Sequence, residues 1–82
     1  MTKSVHTRNY HLFLELLIKA RKDAGVTQEQ LARRLNRPQS FISKCENGER
    51  RLDVIELLQF LQSIGVEPIN FFRKIVKSTR VS

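Results

Sequence analysis

The stretch TQEQLARRLNRPQSFISKCENG, residues Thr27–Gly48, decides the fold, because it predicts two short helices that meet at a tight corner. Thr27 is a good N-cap for the first helix, since its hydroxyl can accept a backbone amide of the first turn. Asn36 tolerates the left-handed conformation that often ends a helix. Pro38 disfavours a helical residue before it and suits the first turn of a second helix, which we expect over residues 39–46.

Two helices of this length cannot bury enough apolar surface alone, so the flanking sequence must supply further helices. One is predicted over residues 10–24, where apolar side chains recur at helical spacing. A fourth helix is predicted between Asp53, as its N-cap, and Gly65, and a fifth opens at Pro68. We therefore expect an all-α fold, a compact five-helix bundle in which helices 2 and 3 form a helix-turn-helix.

The 82 residues make one domain, which can bury roughly 60% of the surface that the unfolded chain exposes. We expect a flexible N-terminal segment over residues 1–9, the helical domain over residues 10–76 and a flexible tail over residues 77–82. We expect no second sensory or catalytic domain in a chain of this length.

The chain is strongly basic, with 15 Lys and Arg against 8 Asp and Glu and a formal net charge of +7. A positive field of this size in a small domain favours a polyanionic partner such as nucleic acid. A generally solvated basic surface is the alternative. The single cysteine excludes an intramolecular disulfide and a cysteine-rich zinc site, which favours a reducing compartment.

The sequence predicts no membrane partner. No apolar run approaches the ~18 residues needed to span a bilayer, and the N-terminal residues lack the apolar segment of a signal peptide. A basic amphipathic helix on a membrane surface fits poorly, because the charges are not confined to one face. We therefore expect a cytoplasmic protein.

No pattern in the sequence predicts an enzyme. His6, His11 and Cys45 lack the spacing of a metal site, and the acidic residues are dispersed, so we expect no metal and no cofactor. Cys45 lies on the apolar side of the second short helix. A small buried thiol is a better interpretation there than a nucleophile.

The predicted corner presents polar and basic side chains outward. They can hydrogen-bond base edges or phosphates, and none is acidic, which suits a nucleic-acid surface. They are Gln28, Arg37, Gln39, Ser40, Ser43 and Lys44. Arg37, Arg50 and Arg51 flank the second short helix, so we expect phosphate contacts from them, with a solvated surface arginine as the alternative for each.

The chain resembles the phage-repressor and Cro-like helix-turn-helix family, also called the XRE family. The resemblance rests on the run Arg21…Thr27-Gln28-Glu29…Leu31-Ala32…Leu35…Ser40…Ile42-Ser43…Glu46-Asn47-Gly48 and covers residues 12–75. It implies a five-helix bundle whose third helix enters the major groove of DNA. It also implies a sequence-specific regulator of transcription, which we expect to be a repressor.

The resemblance also implies roles for single residues. Thr27 and Gln28, at the start of helix 2, are expected at a phosphate. The groove-facing side chains of helix 3 are expected to be Gln39, Ser40, Ser43 and Lys44. Gln39 is the strongest candidate for a base contact, because its amide can pair bidentately with adenine, a contact worth about 1–3 kcal/mol of discrimination.

Arg21 falls at the edge of the buried stripe of the first helix, where a guanidinium needs a carboxylate. Glu46 is the candidate partner, and a solvated arginine is the alternative. The resemblance favours the pair, because Arg21 and Glu46 match the positions of the family's internal ion pair.

The corner departs from the family pattern at three successive residues. Asn36 replaces the usual glycine, and Pro38 stands where a capping serine is common. Arg37 replaces an apolar residue that often packs inward, which suggests that this corner faces solvent or phosphate.

One copy of this motif covers one half-site, so we expect a homodimer on a pseudo-palindromic operator. The dimer interface is predicted from apolar residues that the core of helices 4 and 5 does not require. These are Phe60, Phe71 and Ile75.

A different class of function uses the same fold. An antitoxin-type protein would neutralise a partner protein, such as a small toxin, and would bind its own promoter. Because fold does not decide function, both hypotheses remain open on the sequence. Co-purification with a co-encoded protein would favour the antitoxin.

Overall fold

Five helices account for most of the computed structural model, which describes residues 7–79. They are α1 (Arg8–Asp23), α2 (Gln28–Leu35), α3 (Gln39–Glu46), α4 (Val54–Ser63) and α5 (Pro68–Ser78). The described residues contain no strand, and the fold is the all-α bundle that the sequence predicted, with the helix-turn-helix formed by α2 and α3. None of these five helices is long and apolar enough to cross a membrane.

The helices extend beyond the predicted limits at both ends of the domain. α1 begins earlier than predicted, because the hydroxyl of Thr7 accepts a first-turn amide at 3.2 Å and caps the helix. α5 continues to Ser78, within the stretch predicted as a tail. Residues 1–6 and 80–82, and with them His6, lie outside the described residues.

Local capping shapes the corner between α2 and α3. The Thr27 hydroxyl accepts the amide of Gln30 at 3.0 Å, and the Gln30 side chain accepts the Thr27 amide at 2.9 Å, which completes a capping box. Asn36 ends α2 in the left-handed conformation, at φ 56° and ψ 45°. Pro38 is the N-cap of α3 and makes no side-chain cap hydrogen bond, so backbone conformation alone starts this helix.

The beginning and the end of α4 are both held by side chains. Asp53 accepts the amide of Glu56 at 2.7 Å, and Glu56 accepts the amide of Asp53 at 3.0 Å, in a second capping box. At the other end, Arg34 of α2 donates to the carbonyl of Ser63 at 2.6 Å. A cation at the last carbonyls of a helix is favoured by the helix dipole, so this contact also joins α2 to α4.

The core draws on all five helices. Its largest fully buried side chains are Leu17, Leu31, Ile42, Cys45, Phe60, Leu61 and Phe71. Phe41 of α3 meets the ring of Phe60 edge-on, with ring centroids 6.2 Å apart, and Phe13 of α1 meets Phe71 at the same distance. Such aromatic pairs add to the stability gained from burial, so α3 is held in a defined orientation against α4.

Two of the three residues predicted for a dimer interface lie in this core. Phe60 is 1% exposed and Phe71 is 2% exposed, so neither side chain is available to a second chain, and that part of the prediction is wrong. Ile75 is partly buried against the core. Phe60 faces inward on α4 together with the buried Leu57 and Leu61, so the core of this helix does require it. The exposed large apolar side chains are Val54, Ile55, Ile69 and Val76.

Candidate nucleic-acid interface

The eight residues of α3 divide between an inner and an outer side. The inner side is buried and carries Phe41, Ile42, Cys45 and Glu46. The outer side carries the four predicted base-reading residues: Gln39, Ser40 and Lys44, which are exposed, and Ser43, which is half-buried. The outer side is therefore available to a ligand, while the inner side fixes the helix to the core.

Arg21 and Glu46 form a buried ion pair behind α3. Arg21 Nε donates to Glu46 Oε2 at 2.6 Å, and a terminal nitrogen of Arg21 donates to Glu46 Oε1 at 3.0 Å. The other terminal nitrogen donates to the carbonyl of Val26 at 2.8 Å. A bidentate pair with this further hydrogen bond meets the requirement of a buried charge for partners. The two residues named from the sequence are thus in contact, and they join α1 to the end of α3.

Gln28 connects the buried ion pair to the exposed end of α3. Its Nε2 donates to Glu46 Oε1 at 2.9 Å, and its Oε1 accepts from Gln39 Nε2 at 3.4 Å. Because the amide nitrogen of Gln28 faces a carboxylate, its oxygen is the atom turned toward Gln39. The side-chain oxygen of Gln39 therefore remains available as an acceptor on the outer side of α3.

Arg37 covers the edge of the core at the corner. The central carbon of its guanidinium lies 3.6 Å from the centre of the Phe41 ring, a cation–π distance, and the residue is exposed. The charged residue at this departure from the family pattern thus packs on an aromatic side chain and still faces solvent. Phe41 is itself buried.

Arg50 is held by a carboxylate. Its two terminal nitrogens donate to the two oxygens of Glu56 at 3.0 and 2.9 Å, and one of them also donates to the carbonyl of Arg51 at 3.0 Å. The pKa of the Glu56 carboxyl is lowered, chiefly by these hydrogen bonds from Arg50. Most donors of Arg50 are therefore engaged within the protein, although the sequence predicted a phosphate contact.

Arg51 lies on the other side of the same loop. Its guanidinium carbon is 4.4 Å from the centre of the Tyr10 ring, and the Tyr10 hydroxyl accepts the amide of Leu52 at 3.2 Å. Tyr10 of α1 thus holds the loop that follows α3. The exposed position of Arg51 is compatible with the predicted phosphate contact.

Cys45 is fully buried, and burial raises the pKa of its thiol. A thiol that is inaccessible and protonated at neutral pH is a poor nucleophile. Among residues 7–79, no three His, Cys, Asp or Glu side chains cluster as a metal site would require.

Sequence reasoning missed the supporting roles of Tyr10 and Glu56. Tyr10 was read only as the start of the first helix, and its contact with Leu52 spans 42 positions, so no local pattern reveals it. Glu56 lies in the first turn of α4. Its six-residue separation from Arg50 is not a helical spacing, and only the bend of the chain between α3 and α4 brings them together.

The chain is similar to known helix-turn-helix proteins. A family described as a helix-turn-helix domain matches residues 13–69. An uncharacterized HTH-type transcriptional regulator, y4dJ of Sinorhizobium fredii, is 33% identical over 51 residues, which are 62% of this chain and 66% of that protein. This match spans just under two thirds of that relative.

Solved structures resemble the whole bundle. An XRE-family like protein from Pseudomonas syringae pv. tomato is 49% identical, with a TM-score of 0.85 over 94% of both chains. The wild-type restriction-modification controller protein C.Esp1396I is 26% identical, with a TM-score of 0.79 over 88% of this chain and 95% of that one. A mutant of the same controller is 28% identical, with a TM-score of 0.78 over 88% of this chain and 91% of that one.

Proposed function

Because this chain belongs to the XRE-like helix-turn-helix family of DNA-binding transcription regulators, we propose that it is a cytoplasmic repressor that binds a specific operator. In this proposal α3 lies in the major groove of double-stranded DNA, and the protein needs no cofactor. The observation that carries the proposal is the polar outer side of α3, held from behind by the Arg21–Glu46 pair.

The base contacts are proposed for the outer side of α3. Gln39 reads adenine, because its amide can accept from N6 and donate to N7 at once. The hydrogen bond from Gln39 to Gln28 uses one of the two amide hydrogens and leaves the other for the base. Ser40, Ser43 and Lys44 follow along the groove, where a hydroxyl or an ammonium can bond to a base or to a phosphate.

The phosphate contacts are proposed for the two ends of the helix-turn-helix and for the corner between its helices. Thr27 and Gln28 lie at the first turn of α2, where backbone amides favour an anion. Arg37 lies at the corner, and its packing on Phe41 limits the freedom that a phosphate contact would otherwise remove. Arg51 supplies a second cation, in the loop beyond α3.

A homodimer is proposed because one copy of α3 covers only one half-site. The exposed apolar side chains supply a revised interface in place of Phe60 and Phe71. On α5, Ile69 and Val76 are seven residues apart, so they lie on one face of the helix, and both are exposed. On α4, Val54 and Ile55 are exposed in the first turn.

A second candidate function is the control of a restriction-modification system. It is favoured by the likeness to two structures of a restriction-modification controller protein, at 26% and 28% identity. An operator that lies upstream of restriction and modification genes would support the role of a restriction-modification controller. Co-purification with another small protein would instead favour the antitoxin hypothesis.

Selection of bound sequences from random duplex DNA, at a stated salt concentration, tests the proposal. We expect enrichment of a pseudo-palindrome whose half-site centres lie about 34–36 Å apart, or a multiple of that distance. The same selection with Gln39→Ala should lose the preference at one base pair in each half-site. Recovery of random sequence by the wild-type protein would refute the proposal.

A further inference from the structure

We propose that Glu56 limits the sequence-independent part of DNA affinity, because it holds Arg50 on the protein and away from the phosphate backbone. This inference rests on the proposed DNA-binding function and names a residue that tunes its overall strength. The sequence predicted a phosphate contact for Arg50, but a cation beside α3 need not contact DNA.

The geometry of the pair supports this role. Two terminal nitrogens of Arg50 donate to the two oxygens of Glu56 at 3.0 and 2.9 Å, which is the bidentate arrangement that planar guanidinium and carboxylate groups favour. The Glu56 side chain is 17% exposed, and that of Arg50 is 42% exposed. A phosphate would have to displace a well-placed carboxylate to bind Arg50 in the same way.

The carboxylate itself is fixed in place. Glu56 Oε1 accepts the amide of Asp53 at 3.0 Å, so the capping box of α4 orients the group that receives Arg50. The guanidinium carbon of Arg50 also lies 4.8 Å from the centre of the Phe41 ring. Arg50 is therefore confined between a carboxylate and an aromatic ring.

Glu56 also offsets the repulsion between two cations that lie on the same aromatic ring. The guanidinium of Arg37 lies 3.6 Å from the centre of the Phe41 ring, so two positive groups share one aromatic side chain. Without Glu56 no carboxylate would offset the repulsion between these two cations, and Arg50 would be free to turn toward DNA. Glu56 thus leaves Arg37 as the cation that this cluster offers to a phosphate.

The consequence concerns affinity for unrelated DNA. Each phosphate contact adds affinity for every sequence and steepens the decrease of log K with log salt by about 0.9. A protein that withholds one such contact loses affinity for operator and for unrelated DNA alike. Withholding it lowers the time spent on the large excess of unrelated sites.

The test measures the binding of the full chain to its selected operator and to an unrelated duplex over a salt series. Glu56→Gln keeps an oxygen for the α4 cap and removes the charge that holds Arg50. We expect it to bind the unrelated duplex more tightly at low salt, with a slope steeper by about 0.9, which is a ~3.5-fold larger loss of affinity between roughly 50 and 200 mM salt. Adding Arg50→Ala to Glu56→Gln should return the slope to that of the wild type.

Asp23→Asn is the matched control, because it makes the same charge change at an exposed ion pair with Lys19 on α1. It should leave the slope unchanged. Should Glu56→Gln fail to fold, Arg50→Ala alone decides the matter. The proposal expects it to keep the wild-type slope, and a slope flatter by about 0.9 would overturn the proposal.

The outcomes separate this inference from the proposed function. A wild-type protein that selects no operator refutes the proposed function and this inference with it. A wild-type protein that selects an operator, together with a Glu56→Gln variant of unchanged slope, refutes this inference alone.

Discussion

The side-chain oxygen of Gln28 accepts a hydrogen bond from Gln39 Nε2 at 3.4 Å, so the first residue of α2 orients the first residue of α3. Gln28 is in turn held by Glu46 at 2.9 Å. One glutamine thus connects the buried ion pair to the outer side of α3. The direction of both hydrogen bonds in this series follows from the carboxylate at its buried end, because a carboxylate only accepts.

Gln28→Ala should weaken discrimination at the base that Gln39 is proposed to read, by about 1 kcal/mol, because Gln39 loses the partner that orients its amide. Competition between operator variants at that base pair measures the effect. Gln30→Ala is the control, since Gln30 belongs to the capping box of α2 and does not contact Gln39. Equal losses of discrimination in both variants would argue for a general effect of α2 instead.

Gln39→Ala should lower affinity for the operator by about 1–3 kcal/mol and relax one base position in each half-site. Affinity for an unrelated duplex should change little, because the lost contact carries sequence information. Gln59→Ala, at an exposed glutamine of α4, is the matched control. A variant that keeps the wild-type ranking of all operator sequences would contradict the assignment.

Glu46→Gln should lower the free energy of unfolding by about 3–5 kcal/mol, because it leaves the Arg21 guanidinium buried beside a neutral group. Urea denaturation measures this loss. Replacing both partners, as Arg21→Met with Glu46→Leu, should recover most of the stability. The double variant should nevertheless discriminate poorly between operators, because Gln28 has lost the Glu46 oxygen that accepts its hydrogen bond.

An exposed pair provides the comparison for that prediction. Lys19 and Asp23 are 2.9 Å apart, but their side chains are 70% and 65% exposed. Asp23→Ala should therefore change the free energy of unfolding by less than ~1 kcal/mol. If Asp23→Ala and Glu46→Gln proved equally harmful, burial would not be the source of the effect.

Acid should weaken the hold of Glu56 on Arg50. The pKa of Glu56 is lower in the folded state than its usual value, so the pair stabilises the fold above that usual value. The contribution is lost as the pH falls through the lowered pKa. Urea midpoints measured from neutral to acidic pH should therefore fall less steeply for Glu56→Gln than for the wild type, with Glu15→Gln, at an exposed carboxylate of α1, as the charge control. Parallel curves for Glu56→Gln and the wild type would contradict this assignment.

Val76→Asp should shift the protein toward monomer, because it places a charge on the proposed apolar interface of α5. Val76 is 74% exposed, so the substitution should not unfold the monomer. Sedimentation equilibrium over a range of concentrations gives the mass, and circular dichroism checks the helical content. Gln62→Asp, at an exposed polar position of α4, is the control. A wild-type protein that stays monomeric, both free and on the operator, would rule out the dimer.

The helices and their limits were largely readable from short-range chemistry. Thr27 and Asp53 cap helices through groups three residues away, and Asn36 ends α2 through its own backbone conformation, so the information lies within a few positions. The Arg21–Glu46 pair lies 25 positions apart and came from the family resemblance rather than from local pattern.

The packing of the last two helices was less readable. Periodicity shows that a helix has an apolar stripe, but α4 and α5 are apolar over more than one face, and a stripe does not say which face meets the core. Phe60 fills the inward position beside Phe41, whereas Val54 lies at the first turn of α4, where it stays exposed. The Arg50–Glu56 pair was unreadable for a related reason, because it depends on how the loop turns between two helices.

The division of α3 into an inner and an outer side has a consequence for how this protein can change over time. The side chains that hold the helix in the core, among them Ile42 and Cys45, are different residues from the exposed ones proposed to contact DNA, such as Gln39 and Lys44. Substitutions on the outer side touch little of the buried core, so they alter target preference at small cost to folding. A gene carrying this scaffold can therefore acquire a new target by few mutations while the protein remains folded at every step.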